Sequence, residues 1–353
     1  MTNQIYENYW QFTAAFTDYH GKGFLTTLKI IIDFIDMYKH EEYSKNKYER
    51  LQESIQKEWA ITMPSIRKII NQLVKMGFVE PLLVSYSTDC INYLEAKSNR
   101  KRKSLLSKIV YSNSGLNKSV KKESKLNQIN FLINTLTENG KLTRNEIIAL
   151  MQVDINKVQK GYLNKNELET YIEQFQEIDF EDRKYNQIQH LFNLLRELDG
   201  IQFIGTTLHF KDDAEKIIEE LPEQKGRNKY LHTLYKNQLK NEAYTKFHKE
   251  KCMVEHLTYP ILIASHIKPF ILSTKDEAYN PNNGLLLSKN LDGLFDHGLI
   301  SFDNDGKIII SKRLDSELQK HLNQYQLEKV FVNEERKKFL EFHRTHFKDR
   351  LFE

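Results

Sequence analysis

The feature that most constrains this chain is an apolar run that stops on a histidine. Pro260 to Ala264 leads into Ser265-His266-Ile267-Lys268-Pro269-Phe270. A second run, Leu285-Leu286-Leu287-Ser288, opens on Asn283-Gly284, and Asn290-Leu291-Asp292-Gly293-Leu294-Phe295-Asp296 follows it. Short apolar runs bounded by Pro, Gly and Asn read as strands, and the last stretch reads as the helix after them. His266 lies between the first run and Pro269, so its ring is expected at a strand end. Asp292 and Asp296 are four apart, which places both carboxylates on one helix face.

A phosphodiester resists hydrolysis because its negative charge repels the nucleophile and its alkoxide leaves poorly. Cleavage needs a water deprotonated at the right place and a cation that neutralises charge on the transferring and leaving oxygens. A histidine, with an unperturbed pKa of about 6.5, is mostly neutral at physiological pH and suits the first task. Two carboxylates on one helix face suit the second, because one Mg²⁺ could bridge them and a phosphate oxygen. From Cys252 to Ser311 the chain resembles an HNH nuclease module of the ββα-metal type, in the branch that reads ASHI-x-P, then NGL, then D-x-x-FD-x-GL.

The resemblance implies that His266 is the general base. Ligand positions in many such modules lie nine and thirteen residues after the motif asparagine, which from Asn283 gives Asp292 and Asp296. Asp292 is expected as a ligand, and Asp296 either as a ligand or as a brace for the Gly298 turn. Relatives usually carry Asp, Glu or His just before the base; here Ser265, a poor ligand, takes that place. Asn283 either ties the loop to the strand and so orients His266, or is itself a ligand. Lys268 is expected against a phosphate or in solvent, and His297 facing away from the metal. The implied cofactor is one divalent ion, Mg²⁺ or Mn²⁺. Cys90 and Cys252 are the only cysteines. They are too few for a disulfide framework or for the Cys₄ zinc knuckle of many HNH proteins, so no structural zinc is expected. Cys252 is expected as a small core residue in a first strand. The enzymatic account requires the imidazole and the acid pair to converge on the ion; aiming them at opposite sides would remove it.

Upstream, the chain reads as α+β and multidomain: two winged-helix-like, mostly helical domains precede the nuclease module, which ends in a helical tail. The expected limits are 1–113, a basic linker over 114–124, 125–222, and 223–353. In the first domain Thr62 and Pro64 open a helix whose apolar face is Ile66, Ile69, Ile70 and Leu73 and whose stop is Gly77. Phe78 to Val84 then reads as a strand or wing. Arg67, Lys68 and Asn71 lie on the polar face of this candidate recognition helix. An ordinary amphipathic helix would look the same. In the second domain Leu126 to Leu136 gives one helical face, Thr143 and Glu146 form a capping box, and Tyr185 to Leu198 gives a third helix. Ile201 to Phe210 follows as a hairpin turning near Gly205-Thr206. Leu221-Pro222 and Lys225-Gly226 mark a boundary, Lys229 to Phe247 a helix that braces the module, and Leu314 to Phe352 the tail.

The net charge of +4 allows nucleic-acid binding without demonstrating it. Arg100, Lys101, Arg102 and Lys103 form one basic cluster, fit for phosphate contact or for simple solvation. No apolar run approaches a membrane span, and Met1 to Glu7 lacks the form of a signal peptide, so a reducing cytoplasm is expected. Together these features point to a restriction-type endonuclease acting on double-stranded DNA as a homodimer. The layout resembles BisI-type enzymes, which implies possible dependence on 5-methylcytosine, although neither Pro64 to Met76 nor Tyr185 to Phe210 establishes a methyl pocket. The alternative is a winged-helix DNA-binding regulator with a vestigial nuclease module. An RNA-directed nuclease fits less well, since winged helices suit duplex grooves.

Overall fold

The computed structural model describes residues 9–177, 180–211 and 228–352. Two compact units make up the chain, Met1–Glu223 and Gln224–Glu353. The motifs at Leu221-Pro222 and Lys225-Gly226, and the Met1 to Glu7 segment, lie outside the described residues. Among those described, no helix is long and apolar enough to cross a membrane.

The first unit opens with α1 (Lys22–Met37), α2 (Lys45–Glu58) and α3 (Met63–Lys75). In α3, Pro64 occupies the first turn, where its missing N–H does no harm, and Ile66, Ile69, Ile70 and Leu73 are buried. Arg67 and Lys68 are exposed on the other side. The Thr62 hydroxyl meets Ser65 Oγ at 3.0 Å and makes no backbone cap. Gly77 stops the helix at φ +81°, and a Cβ there would strike the Asn113 backbone. The strand expected over Phe78 to Val84 does not form. A single bridge joins Val79 to Tyr86 around a 3₁₀ turn at Pro81–Leu83, since Pro81 lacks the N–H that a ladder needs.

Two further helices, α4 (Asp89–Glu95) and α5 (Asn99–Asn113), follow. The Arg100 to Lys103 cluster forms the first turn and a half of α5 rather than a linker. The basic stretch 114–124 is no free tether either: Leu116 and Val120 are buried, and Val120 N–H donates to Asn71 Oδ1 at 3.0 Å.

Next come α6 (Gln128–Asn139), β1 (Lys141–Leu142), α7 (Arg144–Leu150), α8 (Lys165–Glu177), α9 (Phe180–Glu197), β2 (Ile201–Ile204) and β3 (Thr207–Phe210). The capping box of Thr143 and Glu146 is present. The three strands form one antiparallel sheet in the order β1-β3-β2, with Leu142 opposite Leu208 and Ile201 opposite Phe210. Gly205, at φ +60°, makes the hairpin turn.

The second unit starts with the long α10 (Lys229–Phe247), followed by β4 (Ile263–His266), α11 (Lys275–Ala278), β5 (Gly284–Leu287) and α12 (Lys289–Asp296). A hairpin of β6 (Ile300–Phe302) and β7 (Ile308–Ile310) and the helices α13 (Ser316–Leu322), α14 (Glu334–His346) and α15 (Lys348–Leu351) complete it. β4 and β5 are antiparallel, with Ser265 opposite Leu285 and His266 opposite Gly284. Cys252 is buried as expected of a core residue, but not in a strand: residues 253–255 are a turn, docked by Met253 N–H on the Leu286 carbonyl at 2.8 Å.

Candidate active site

Successive side chains on a strand point to opposite faces, and β4 sends Ser265 and His266 to different helices. His266 shares its face with the opposing Gly284. That face is covered by Tyr235 of α10, whose ring stacks on the imidazole with centroids 4.7 Å apart and planes at 19°. Phe270 meets the same imidazole edge-on at 5.7 Å. The Tyr235 hydroxyl donates to the Asn283 carbonyl at 3.0 Å, with the Ser265 carbonyl at 3.3 Å. Gly284 makes this possible, because a Cβ there would lie 2.6 Å from Tyr235 Cζ and 2.9 Å from Leu239 Cδ1.

His266 Nε2 lies 2.9 Å from the Ala278 carbonyl. A carbonyl only accepts, so Nε2 carries the proton and the neutral ring keeps its lone pair on Nδ1. The tautomer suited to a base is thus held by the backbone, with the residue 8% exposed.

The other face of the hairpin belongs to α12. Ser265 Oγ donates to Asp296 Oδ1 at 3.4 Å, and the same hydroxyl is near enough to Asp292 to favour its charged form. Burial raises the Asp292 carboxyl above its usual range, and the Ser265 hydrogen bond only partly offsets this. Asp292 Oδ1 is buried with no hydrogen-bond partner. An orphaned buried carboxylate oxygen beside a second carboxylate and a hydroxyl forms an all-oxygen donor set, which fits a hard divalent cation. Among the described residues, no three His, Cys, Asp or Glu side chains gather into a metal-type cluster. Ser265 stands where a third such ligand would complete one.

Asn283 is fully buried and spends its side chain on the loop after the strand. Its Oδ1 accepts from Lys268 N–H at 2.7 Å, and its Nδ2 reaches the Lys268 and Glu277 carbonyls and Ser273 Oγ at 3.1–3.2 Å. Those bonds fix the loop that carries Ala278, and through it the His266 ring. Lys268 Nζ pairs with Glu277 Oε2 at 2.7 Å, and His297 Nδ1 lies 2.8 Å from the Gly293 carbonyl of its own helix.

Residues 252–303 match the family model described as HNH endonuclease. The chain thus carries an HNH endonuclease domain in its second unit, a nuclease hydrolase type that implies contact with DNA and that generally uses a divalent metal. No curated protein matches the chain. Within the HNH module the structure brings Ser265, Asp292 and Asp296 together on the α12 face. His266, Asn283 and Lys268 are tied to one another through the loop after β4. Strand alternation turns the adjacent Ser265 and His266 side chains away from each other, so that Ser265 lies by the acid pair and the imidazole lies against Tyr235.

Apart from Lys268, the residues expected to contact DNA are in unit one. Arg67 Nε donates to Gln52 Oε1 at 2.9 Å, and Asn71 is held by Val120 N–H and the Arg67 carbonyl, which spends its amide on packing. Arg100 and Lys101 are exposed, Arg102 bonds Asn99 Oδ1, and Lys103 Nζ donates to the Arg196 carbonyl at 2.9 Å.

Two further residues that shape the HNH module carry no sequence signal. Tyr235 lies among the apolar positions of α10, far from the motif. His343 of α14 stacks on Phe295 of α12 with centroids 4.0 Å apart, donates from Nε2 to the Phe295 carbonyl at 3.1 Å, and accepts from Ser301 Oγ at 3.0 Å. It therefore clamps the residue next to Asp296.

Proposed function

We propose that this protein is a metal-dependent, restriction-type endonuclease that hydrolyses phosphodiester bonds of double-stranded DNA. The observation that carries the proposal is the partnerless buried Asp292 Oδ1 beside Ser265 and Asp296, inside the segment matched to HNH endonucleases. Asp292 and Asp296, with Ser265 beside them, would hold a Mg²⁺ or Mn²⁺ ion, which when bound would supply positive charge to the transferring and leaving oxygens. His266 accepts the proton of the attacking water at Nδ1 while Nε2 remains on the Ala278 carbonyl. Asn283 acts as a positioning residue by holding the Lys268 to Ala278 loop.

Displacement at phosphorus is in line, with attack and departure on opposite sides of the reacting atom. His266 at the β4 end, and the acid pair beside the adjacent Ser265, would flank a phosphate lying across that end.

The first unit supports the reader half of the proposal. The order α6-β1-α7, then α9-β2-β3, with β1 pairing the last strand, supports a winged-helix reading in which α8 is an insertion and α9 takes the recognition position. The order α1-α2-α3 followed by the Val79–Tyr86 bridge is a reduced version with a minimal wing. Sequence specificity, dependence on 5-methylcytosine and a homodimer for double-strand cleavage complete the proposal. Its test is incubation of supercoiled plasmid, methylated and unmethylated, with Mg²⁺ or EDTA. Wild type should cut only with metal, while Asp292→Asn and His266→Ala should not. Equal cutting in EDTA would reject the metal site, and DNA binding without cleavage under any metal would favour a regulator. Equal cutting of both plasmids would reject the modification dependence.

A further inference from the structure

The first unit contains a cleft of about 690 Å³ that none of the chemistry above uses. Its wall includes Phe16, Trp59, Lys68 of α3, and Asn186, Gln187 and His190 of α9. The two helices that take recognition positions in the proposed reader, α3 by its N-terminal half and α9 by its middle, thus contribute to one recess.

The recess is built rather than incidental. Gln72 of α3 is fully buried, and its amide pins the Phe16 wall: Oε1 accepts from Ala15 N–H at 2.7 Å and Phe16 N–H at 2.8 Å, and Nε2 donates to the Phe16 carbonyl at 2.7 Å. Trp59 is fixed by its Nε1–H on Thr27 Oγ1 at 3.0 Å. Two side-chain atoms of the lining, Gln187 Oε1 and His190 Nδ1, are buried without a hydrogen-bond partner, a costly condition that a ligand donor would relieve. Burial holds the His190 pKa below its usual value, so the ring is neutral at physiological pH and can accept.

A helix reads a groove by protruding into it, whereas a recess between two helices takes something that protrudes from the DNA. Aromatic walls offer stacking to any base, amides match the donor and acceptor groups of a base edge, and an exposed lysine suits the neighbouring phosphate. We propose that this cleft receives one unstacked nucleobase of the bound DNA, held between Trp59 and Phe16 and read at its edge by Asn186 and Gln187. The inference rests on the DNA-reading role proposed for the first unit.

The test uses the full chain in EDTA, so that binding is separated from cleavage. Three duplexes are compared: fully paired, carrying one bulged base, and carrying an abasic bulge at the same place. The bulged-base duplex should bind roughly 5- to 160-fold more tightly than the abasic one, the range of base–aromatic stacking. It should also quench Trp59, one of only two tryptophans, while Trp10 is 1% exposed in the core. Gln187→Ala and Trp59→Ala should each lower the preference, and the first, on a half-exposed helix position, leaves the fold intact if the second does not. Equal affinity for the two bulges, a preference untouched by both variants, or no binding of any duplex would overturn the proposal. Mg²⁺-dependent plasmid cleavage by the same preparation tells whether the nuclease reading stands when the cleft reading fails.

Discussion

Tyr235 occupies the space that a side chain on Gly284 would need. The tyrosine ring in turn forms the floor under His266, with its hydroxyl on the Asn283 carbonyl. A glycine in the motif and a tyrosine 49 residues upstream are thus one mechanical unit, joined by the β4–β5 register that sets His266 opposite Gly284.

Gly284→Ala is therefore expected to displace the Tyr235 ring, lower stability by about 1–3 kcal/mol through overpacking, and reduce plasmid nicking with it. Adding Tyr235→Phe should rescue only part of the loss, because the ring carbon at 2.6 Å remains after the hydroxyl is removed. Full rescue of both melting temperature and nicking would show that the hydroxyl alone was the obstacle.

Removing the charge at Asp292 should separate stability from function. A buried carboxyl with a raised pKa disfavours its own ionised form, so it destabilises the fold as pH rises through the carboxylate range and is relieved as pH falls. Asp292→Asn should melt at or above the wild-type temperature while losing cleavage. Mg²⁺ should raise the melting temperature of wild type and leave that of the variant unchanged, as expected when an ion binds only the native state. Equal metal shifts in both proteins would move the ion elsewhere.

The His343 clamp gives a pH signature distinct from the acid pair. Burial lowers the His343 pKa to about 4, so between about pH 6.5 and 4 the unfolded chain binds a proton that the folded one does not. Stability is unaffected above that window and falls as pH drops through it, by at most about 3 kcal/mol. Urea titrations across the window should show this slope, flattened in His343→Gln; an unchanged slope would assign it to other groups.

Asn283→Ala removes every bond between the strand and the Lys268 to Ala278 loop made by that side chain. Cleavage is expected to fall 10- to 100-fold, with circular dichroism showing a retained fold. Because His266 keeps its own stacking partner, the pH profile of the residual activity should shift as the Ala278 carbonyl leaves Nε2. An unaltered profile would mean that the loop does not set the imidazole tautomer.

Sequence alone determined the local elements of the HNH module, because each rests on short-range physics. The run before His266 and the Asn283-Gly284 start predict strands, and the four-residue spacing of Asp292 and Asp296 a shared helix face; in the first unit, Thr143 with Glu146 likewise predicts a capped helix. It misplaced Phe78 to Val84, where Pro81 removes a ladder donor, and the basic 114–124 stretch, whose Leu116 and Val120 find a core. Only tertiary structure decided what each face meets. Alternation along β4 dictates that Ser265 and His266 part company, but which helix covers which side depends on packing contacts between residues distant in the chain. Tyr235 on one face, and α12 with His343 behind it on the other, were therefore invisible in the motif, as was the cleft assembled from α3 and α9.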